Sequence, residues 1–281
     1  LFIPDLRHLD HDMQESCFQE WVDTEKARRF VWEEPGLVRL HVHVLSDTLY
    51  RYTLSQHNSA LDGWSITLVH TQLFETYNAI LSGAHVDRPA VDNYLRHYMA
   101  LERQSLASEN DREFWKKAID GATFTELPRC APTATEEVHP VVIFHDVDIS
   151  KRLSDRIIAL SDKLGVPVKT LLMAAHLKVL SVIAASEYVM TGYEQSGRPE
   201  HEDATESIGL FLNTVPFGLH VGAGSWEQLI RQIYNAESQL LPHRRYPMAQ
   251  MKQDMGIRDM LFETAFNYTH FYRLKELKAL P

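Results

Sequence analysis

Two neighbouring stretches near the start of the chain carry strand-like patterns. From 37 to 45 apolar and polar side chains alternate with a period of two, so that Arg39, His41 and His43 share the polar face of a half-buried strand. Residues 48–57 are rich in β-branched and aromatic types, which favour strands. Because only a short turn separates the two stretches, we expect an antiparallel hairpin.

Apolar residues recur at steps of three and four along several longer stretches, which predicts amphipathic helices. One such helix begins near Ser65, the expected N-cap, and ends at Gly83. Ser108, Ser150 and Ser225 are expected to cap later helices. The other predicted helices cover 11–33, 91–105, 109–120, 151–164, 168–185 and 226–241, and further strands are predicted at 141–149, 187–194 and 261–267.

Strands alternate with helices along the chain, and this order predicts an α/β layered fold. Residues 121–140 contain three prolines and no periodicity, so we expect a linker there. The linker divides the chain into two halves, 1–125 and 126–281, and 44% hydrophobic residues suffice for two cores. The chain begins without Met, and we infer a fragment of a longer protein.

Charge and composition exclude several classes of function. A formal net charge of −10 disfavours nucleic-acid binding, which depends on clustered Lys and Arg. No apolar run approaches the roughly 20 residues of a membrane helix, and the first residues are no signal peptide, so we expect a cytoplasmic protein. Cys17 and Cys130 lie far apart and are expected to be buried or idle thiols. His41 and His43 have no third ligand nearby in sequence, and no metal site is expected.

The decapeptide from Gln56 to Ser65 joins the second predicted strand to the first long helix. Strand-to-helix loops often carry functional side chains on a rigid scaffold. This loop resembles the His-His-x-x-x-Asp-Gly-Trp-Ser signature of the condensation domains of nonribosomal peptide synthetases. The matching residues are His57, Asn58, Asp62, Gly63, Trp64 and Ser65, with Asn58 at the position of the second His.

Four later stretches also resemble motifs of this family, in the same order. They are Tyr94–Tyr98, Ile208–Pro216, His243–Pro247 and Leu261–Tyr268. Gly218 departs from the family, which usually has Arg at that position. Two further family motifs would lie upstream of the first residue.

The resemblance implies a chloramphenicol acetyltransferase-like fold, a V-shaped pseudo-dimer of two subdomains with mixed sheets flanked by helices. It implies an acyltransferase in which the amine of an acceptor aminoacyl thioester attacks a donor acyl thioester. Both substrates would be carried on phosphopantetheine arms, with no other cofactor. The implied partners are the donor and acceptor carrier proteins and adjacent synthetase domains.

In the family, the second His lies at the reaction centre. Asn58 can accept a hydrogen bond there but is no base at pH 7, so lost proton transfer would reduce the rate roughly 10²–10⁴-fold. His57 should face away from the side that presents Asn58, because neighbouring strand residues point to opposite faces, and we expect it to be structural. The resemblance implies that Asp62 holds the loop geometry, through an ion pair with an upstream Arg in the family.

Other roles at the site stay open on sequence alone. Gly63 lets the backbone approach the substrate or serves as a plain turn residue, and Trp64 packs in the core or walls the substrate channel. Ser65 caps the helix or contacts a pantetheine arm, and Asn213 lines the channel or bonds to the backbone.

The Asn at position 58 allows three interpretations: an engineered inactive variant, a degenerate domain that only binds carrier proteins, or an active domain in which orientation suffices. A coenzyme A-dependent acyltransferase of the same superfold is a further alternative, although it would not predict the later motifs.

Overall fold

The computed structural model describes residues 2–86, 94–129 and 142–270. Within these ranges the helices are α1 (His11–Ala27), α2 (Gly63–Leu81), α3 (Tyr94–Leu106), α4 (Glu109–Ile119), α5 (Lys151–Leu164), α6 (Val168–Ile183), α7 (Trp226–Leu240) and α8 (Met248–Asp254). The strands are β1 (Val38–Val44), β2 (Tyr50–Gln56), β3 (Tyr188–Ser196), β4 (Leu212–His220) and β5 (Ala265–Phe266). Two short 3₁₀ helices cover Glu202–Glu206 and Leu241–His243. The expected mixed α/β class is confirmed.

The predicted hairpin is confirmed, because β1 and β2 pair antiparallel from Val38 opposite Gln56 to Val44 opposite Tyr50. Residues near the start of the chain add isolated parallel bridges, Phe2 to His41 and Asp5 to Val44. The hairpin therefore delivers the loop that follows Gln56.

The expectation that one face of β1 is exposed is wrong. His41 and His43 are only 4% and 2% exposed. Both rings pack against Trp21 of α1, with centroid distances of 4.6 and 4.7 Å. The aromatic side chains of α1 cover the histidine face, so both faces of the hairpin are packed, and polarity alone did not predict this burial.

The second sheet has the order β4-β3-β5. β3 pairs antiparallel with β4 and parallel with β5. A continuous apolar cluster packs around this sheet and includes Met173 and Leu177 of α6 and Ile233 of α7, all fully buried. These helices and strands form the main hydrophobic core among the described residues.

Three of the four predicted helix caps are confirmed. The hydroxyls of Ser108, Ser150 and Ser225 accept hydrogen bonds from the backbone N–H three residues later. Ser225 and Gln228 form a reciprocal capping box at the start of α7.

Several predicted boundaries differ from the structure. α1 ends at Ala27 rather than at 33, because Arg28 already has an extended backbone. Residues 142–149 form no strand, and Val142 and Phe144 are 78% and 88% exposed. Their alternating pattern suits a strand, but no described strand pairs with them. Residues 91–93 of one predicted helix, residues 130–140 of the predicted linker and Cys130 lie outside the described residues.

The chain divides into two compact units. The loop unit consists of the described residues within Leu1–Leu95 and Glu200–Phe211, and the core unit of those within Arg96–Pro199 and Leu212–His270. The subdomain boundary near residue 125 stays a prediction. Among the described helices, none is both long and apolar enough to cross a membrane alone, and only α5 and α6 together, bent by 107°, meet that criterion of length and composition.

Candidate functional site

The signature loop lies between the end of β2 at Gln56 and the start of α2 at Gly63. Asp62 is the N-cap of α2, and its Oδ1 accepts a hydrogen bond of 2.7 Å from the backbone N–H of Ser65. The prediction that Ser65 caps this helix is therefore wrong. Aspartate is as good an N-cap residue as serine, and it satisfies one of the free N–H groups of the first turn.

Asp62 is also bonded to a segment far away in the sequence. Its Oδ2 accepts a hydrogen bond of 3.2 Å from the backbone N–H of Phe211, and its own N–H donates to the carbonyl oxygen of Gly209. The residue is only 4% exposed. A buried carboxylate is stable only when hydrogen bonds or charges compensate its lost hydration, and these backbone donors contribute to that compensation.

Ser65 makes a reciprocal pair of hydrogen bonds with Gly209. Its hydroxyl donates to the glycine carbonyl oxygen at 2.8 Å and accepts from the glycine N–H at 3.0 Å. The side chain has no exposed surface. Ser65 and Asp62 together hold the C-terminal end of the signature loop to the segment 209–211, and we call these four residues, Asp62, Ser65, Gly209 and Phe211, the loop clamp.

Trp64 and Gly63 lie between the clamp residues at the start of α2. The indole Nε1 of Trp64 donates a hydrogen bond of 2.7 Å to the carbonyl oxygen of Thr205, and the side chain is half-buried. Gly63 has a helical backbone as the first residue of α2. Because every residue type can adopt that conformation, backbone geometry alone does not require a glycine there.

His57 is held by its own loop. Its Nδ1 lies 3.1 Å from the backbone nitrogen of Ser59 and 2.7 Å from the Ser59 hydroxyl. A backbone N–H can only donate, so Nδ1 is the acceptor, and the hydrogen of the neutral ring lies on Nε2. The ring also packs against Phe30 and Trp32, with centroid distances of 5.7 and 4.9 Å.

Asn58 is exposed, in contrast to the clamp residues. Its carbonyl oxygen Oδ1 accepts a hydrogen bond of 3.3 Å from the side-chain amide of Gln56. The Asn58 amide group therefore remains accessible at the N-terminal end of the loop.

Asn213 belongs to the core unit, where it begins β4 together with Leu212. Its amide nitrogen donates to the carbonyl oxygens of Arg244 and Tyr246, at 2.8 and 2.9 Å. Both amide hydrogens are therefore engaged by the backbone of the segment that resembles the family's His243–Pro247 motif. Only the carbonyl oxygen Oδ1 remains to accept a further bond.

Gly218 lies on β4 beside Tyr188 of the neighbouring strand β3. A Cβ atom added at Gly218 would overlap the Tyr188 hydroxyl. The tyrosine ring occupies the space over the glycine, so a larger residue at position 218 would require Tyr188 to move.

The histidine pair on β1 has no metal-binding environment. Among the described residues, no group of three or more His, Cys, Asp or Glu side chains could hold a metal ion. Burial lowers the pKa of His41 and of His43, although Glu25 near His41 opposes this shift. Both rings therefore favour the neutral form and serve as part of the packed interior.

Sequence reasoning did not identify the partners in the loop clamp. The motif at Ile208–Pro216 pointed to the right stretch, but not to its bonds with Asp62 and Ser65. The bonds use the backbone groups of Gly209 and Phe211, and backbone groups leave no residue-type signal at a separation of more than 140 residues.

The sequence is similar to that of known proteins. A family model described as the condensation domain matches residues 1–278. The AMB antimetabolite synthetase AmbE of Pseudomonas aeruginosa is 31% identical over 274 residues, which are 96% of this chain and 12% of that protein.

Solved structures share the fold. The first condensation domain of the calcium-dependent antibiotic synthetase, in complex with a substrate analogue, aligns with a TM-score of 0.74 and 22% identity over 97% of this chain and 62% of that chain. A four-domain nonribosomal peptide synthetase bound to AMP and glycine aligns with a TM-score of 0.74 and 18% identity, over 99% of this chain and 21% of that chain. This chain thus spans less than two thirds of each of these proteins. Since the family model covers nearly all of its residues, the chain belongs to the condensation domain family of nonribosomal peptide synthetases.

Proposed function

We propose that this chain contributes to amide-bond formation between a donor acyl or peptidyl thioester and an acceptor aminoacyl thioester, and that Asn58 impairs the reaction. The substrates are carried on phosphopantetheine arms of donor and acceptor carrier proteins. Family membership supports the reaction class, and a multidomain relative supports adjacent synthetase domains as partners. No further cofactor is proposed, and the cytoplasm is the proposed location.

The observation that carries the impairment is the exposed amide of Asn58 at the position where the signature has its second His. Attack by an amine generates a positively charged nitrogen, whose proton a neutral imidazole could accept. The Asn58 carbonyl oxygen can hold an amine by a hydrogen bond, but it cannot take up the proton at pH 7. Positioning is retained while proton transfer is lost.

His57 does not replace the missing imidazole in this proposal. Its Nδ1 already accepts from Ser59, and its ring is packed between Phe30 and Trp32. Moving the His57 ring toward a substrate would require breaking these contacts. His57 is therefore assigned a structural role, as is Asp62 through its bonds to Ser65 and Phe211.

The remaining site residues are assigned roles around the substrate channel. Gly63 allows close approach of the substrate to the loop, and the half-buried Trp64 forms part of the channel wall. Ser65 supports the wall through its bonds to Gly209. For Asn213 of the core unit the channel role is taken from the resemblance alone, and its own bonds to Arg244 and Tyr246 leave one acceptor available. The two acetyltransferase-like halves, 1–125 and 126–281, stay part of the proposal as the resemblance implies them.

The same observation favours a second candidate. Without an imidazole that can act as a base, the domain would bind loaded carrier proteins and leave catalysis to another domain. The loop clamp would then preserve the shape of the site without its chemistry.

The experiment compares this chain with its Asn58→His and Asn58→Gln variants, each placed within the complete synthetase. Donor and acceptor carrier domains are loaded, and amide formation is followed by intact-protein mass spectrometry. We expect Asn58→His to raise the rate about 10²–10⁴-fold, because it restores a proton acceptor. Asn58→Gln keeps the amide and serves as the matched control without a gain.

Equal rates for Asn58→His and the unchanged chain would contradict impairment by Asn58. Absence of product from every form, with carrier binding intact, would support the binding platform instead.

A further inference from the structure

A cavity of about 500 Å³ in the core unit lies outside the signature loop. Its apolar walls come from α4, β4 and α7, and its volume is in the range of small-molecule sites. The polar side chains that line it include one cation, and no carboxylate is among them. The apolar lining includes Phe114, Trp115, Phe217 and Leu240, and the polar lining residues are Lys117, Gln239 and His243.

The imidazole of His243 is fixed in one orientation. Its Nδ1 lies 2.5 Å from Oδ1 of Asp111, and the other carboxylate oxygen accepts a hydrogen bond of 2.6 Å from the Ser105 hydroxyl. Because a carboxylate only accepts, Nδ1 carries the hydrogen of this bond. The ring also stacks on Phe114, at a centroid distance of 4.0 Å and an interplanar angle of 16°.

The backbone of His243 is held as well, since the indole of Trp115 donates to its carbonyl oxygen at 3.0 Å. Nε2 is then the remaining polar atom of the ring, and it makes no hydrogen bond to any residue that the structure describes. A preoriented imidazole with one uncommitted nitrogen at an apolar cavity is what a ligand site requires.

We propose that this cavity binds a small organic carboxylate with an aromatic or aliphatic body. The apolar body packs against the apolar lining side chains, which include Phe114, Trp115 and Phe217. Because Nδ1 donates to Asp111, Nε2 of the neutral ring carries the lone pair. Binding of the acid therefore places one proton on Nε2, the resulting N–H donates to the carboxylate, and Lys117 at the cavity contributes a further positive charge. Asp111 acts as a positioning residue that keeps Nε2 directed away from its own carboxylate.

The direct test uses 3-phenylpropionate as probe and its neutral analogue 3-phenylpropionamide as the matched control ligand. Binding to the full chain is measured by calorimetry, and the histidine ring signals are followed by NMR with ¹³C-labelled histidine. A hydrogen bond to a charged group is worth about 1.5–3 kcal/mol, so we expect the acid to bind about 10- to 100-fold more tightly than the amide. The acid should shift the ring signals of His243 more than those of other histidines.

Two pairs of variants separate a site from general surface binding. His243→Gln should weaken binding of the acid at least tenfold, whereas His220→Gln, at an exposed histidine of the same unit, should not change it. Ala118→Phe should block the cavity that Ala118 lines, whereas Ala175→Phe places the same ring on an exposed position of α6 outside it.

Equal affinity for acid and amide, or equal binding by the His243→Gln and His220→Gln variants, would overturn the proposal. So would the absence of saturable binding by the unchanged chain at concentrations of the acid up to about 50 mM, which corresponds to less than 2 kcal/mol of binding free energy. None of these outcomes depends on condensation activity, so they are independent of the proposed function.

Discussion

The loop unit and the core unit fill their interiors with different kinds of groups. In the core unit, buried apolar side chains form one continuous cluster around β3 and β4. The described part of the loop unit has few buried apolar residues: Leu61, Leu68, Ala204 and Phe211. Many of its buried side chains are instead polar: His41, His43, Asp62, Ser65, Thr67 and Thr71.

This difference has a physical consequence. Apolar packing is non-directional and nearly independent of pH, whereas buried polar groups are stable only with the right partners and protonation state. We therefore expect the core unit to respond most to lost volume, and the loop unit to respond to lost hydrogen bonds and to acid.

The largest effect is expected from a cavity in the core unit. Leu177 is fully buried in α6, so Leu177→Ala should lower the free energy of unfolding by about 2–5 kcal/mol. The measurement is denaturant unfolding, with hydrogen exchange read separately from peptides of the two units. Val179→Ala, at a 57% exposed position of the same helix, is the control and should cost less than about 0.5 kcal/mol. Similar losses for the two variants would contradict the role of the cluster.

The next effect is expected from the loop clamp. Asp62→Ala removes the N-cap of α2 and leaves the buried N–H of Phe211 without this acceptor, at a combined cost of about 2–4 kcal/mol. Asp10→Ala is the matched control, because Asp10 caps α1 through one bond to Met13 and is exposed, so its loss should cost only about 1 kcal/mol. Stability of each variant is measured by denaturant unfolding. If Asp62→Ala and Asp10→Ala lower the free energy of unfolding by the same amount, the bond to Phe211 contributes nothing to stability.

Local features of both units could be predicted from sequence. The hairpin followed from alternation and a short turn, and the serine caps at Ser108, Ser150 and Ser225 followed from spacing within one helical turn. The position of the candidate loop between a strand and a helix followed from the same local patterns. These features depend on residues that are close together in the chain.

Features set by distant partners could not be predicted in this way. Polar histidines on β1 indicated an exposed face, but the aromatic residues of α1 bury them. The alternation at 142–149 was correct for a strand, yet a strand requires a partner, and none of the described strands pairs with it. The bonds of Asp62 to the segment at 209–211 also depend on the tertiary fold, which no local pattern specifies.

A smaller effect is expected from acid. Burial lowers the folded-state pKa of His41, His43 and His70 in the loop unit, and that of His176 in the core unit. A histidine with a lowered folded-state pKa binds more protons when unfolded. Its contribution to stability is therefore present above the unfolded pKa of about 6.5 and is lost as the pH falls below it.

The charged groups around the pair modify this loss without reversing it. Glu25 attracts a proton to His41, whereas Arg39 near His41 and Arg51 near His43 oppose protonation. Between pH 7 and pH 5 we expect the loop unit to lose about 1–2 kcal/mol more than the core unit. Hydrogen exchange of both units between pH 7 and pH 5 measures this difference in stability. His43→Phe should make the stability of the loop unit depend less on pH. A larger loss of stability in the core unit than in the loop unit over this pH range would contradict the comparison.

The smallest effect on stability is expected at Asn58, within the same loop as Asp62. Asn58 is exposed and its one hydrogen bond to Gln56 is 3.3 Å long, so Asn58→Ala should change the free energy of unfolding by less than about 0.5 kcal/mol. Denaturant unfolding beside Asp62→Ala measures the contrast between the two ends of the loop. A loss near that of Asp62→Ala would mean that Asn58 holds the fold, and its substitution could then no longer be read as a change in chemistry alone. A negligible loss means that position 58 can be exchanged for catalysis while the clamp maintains the shape of the site.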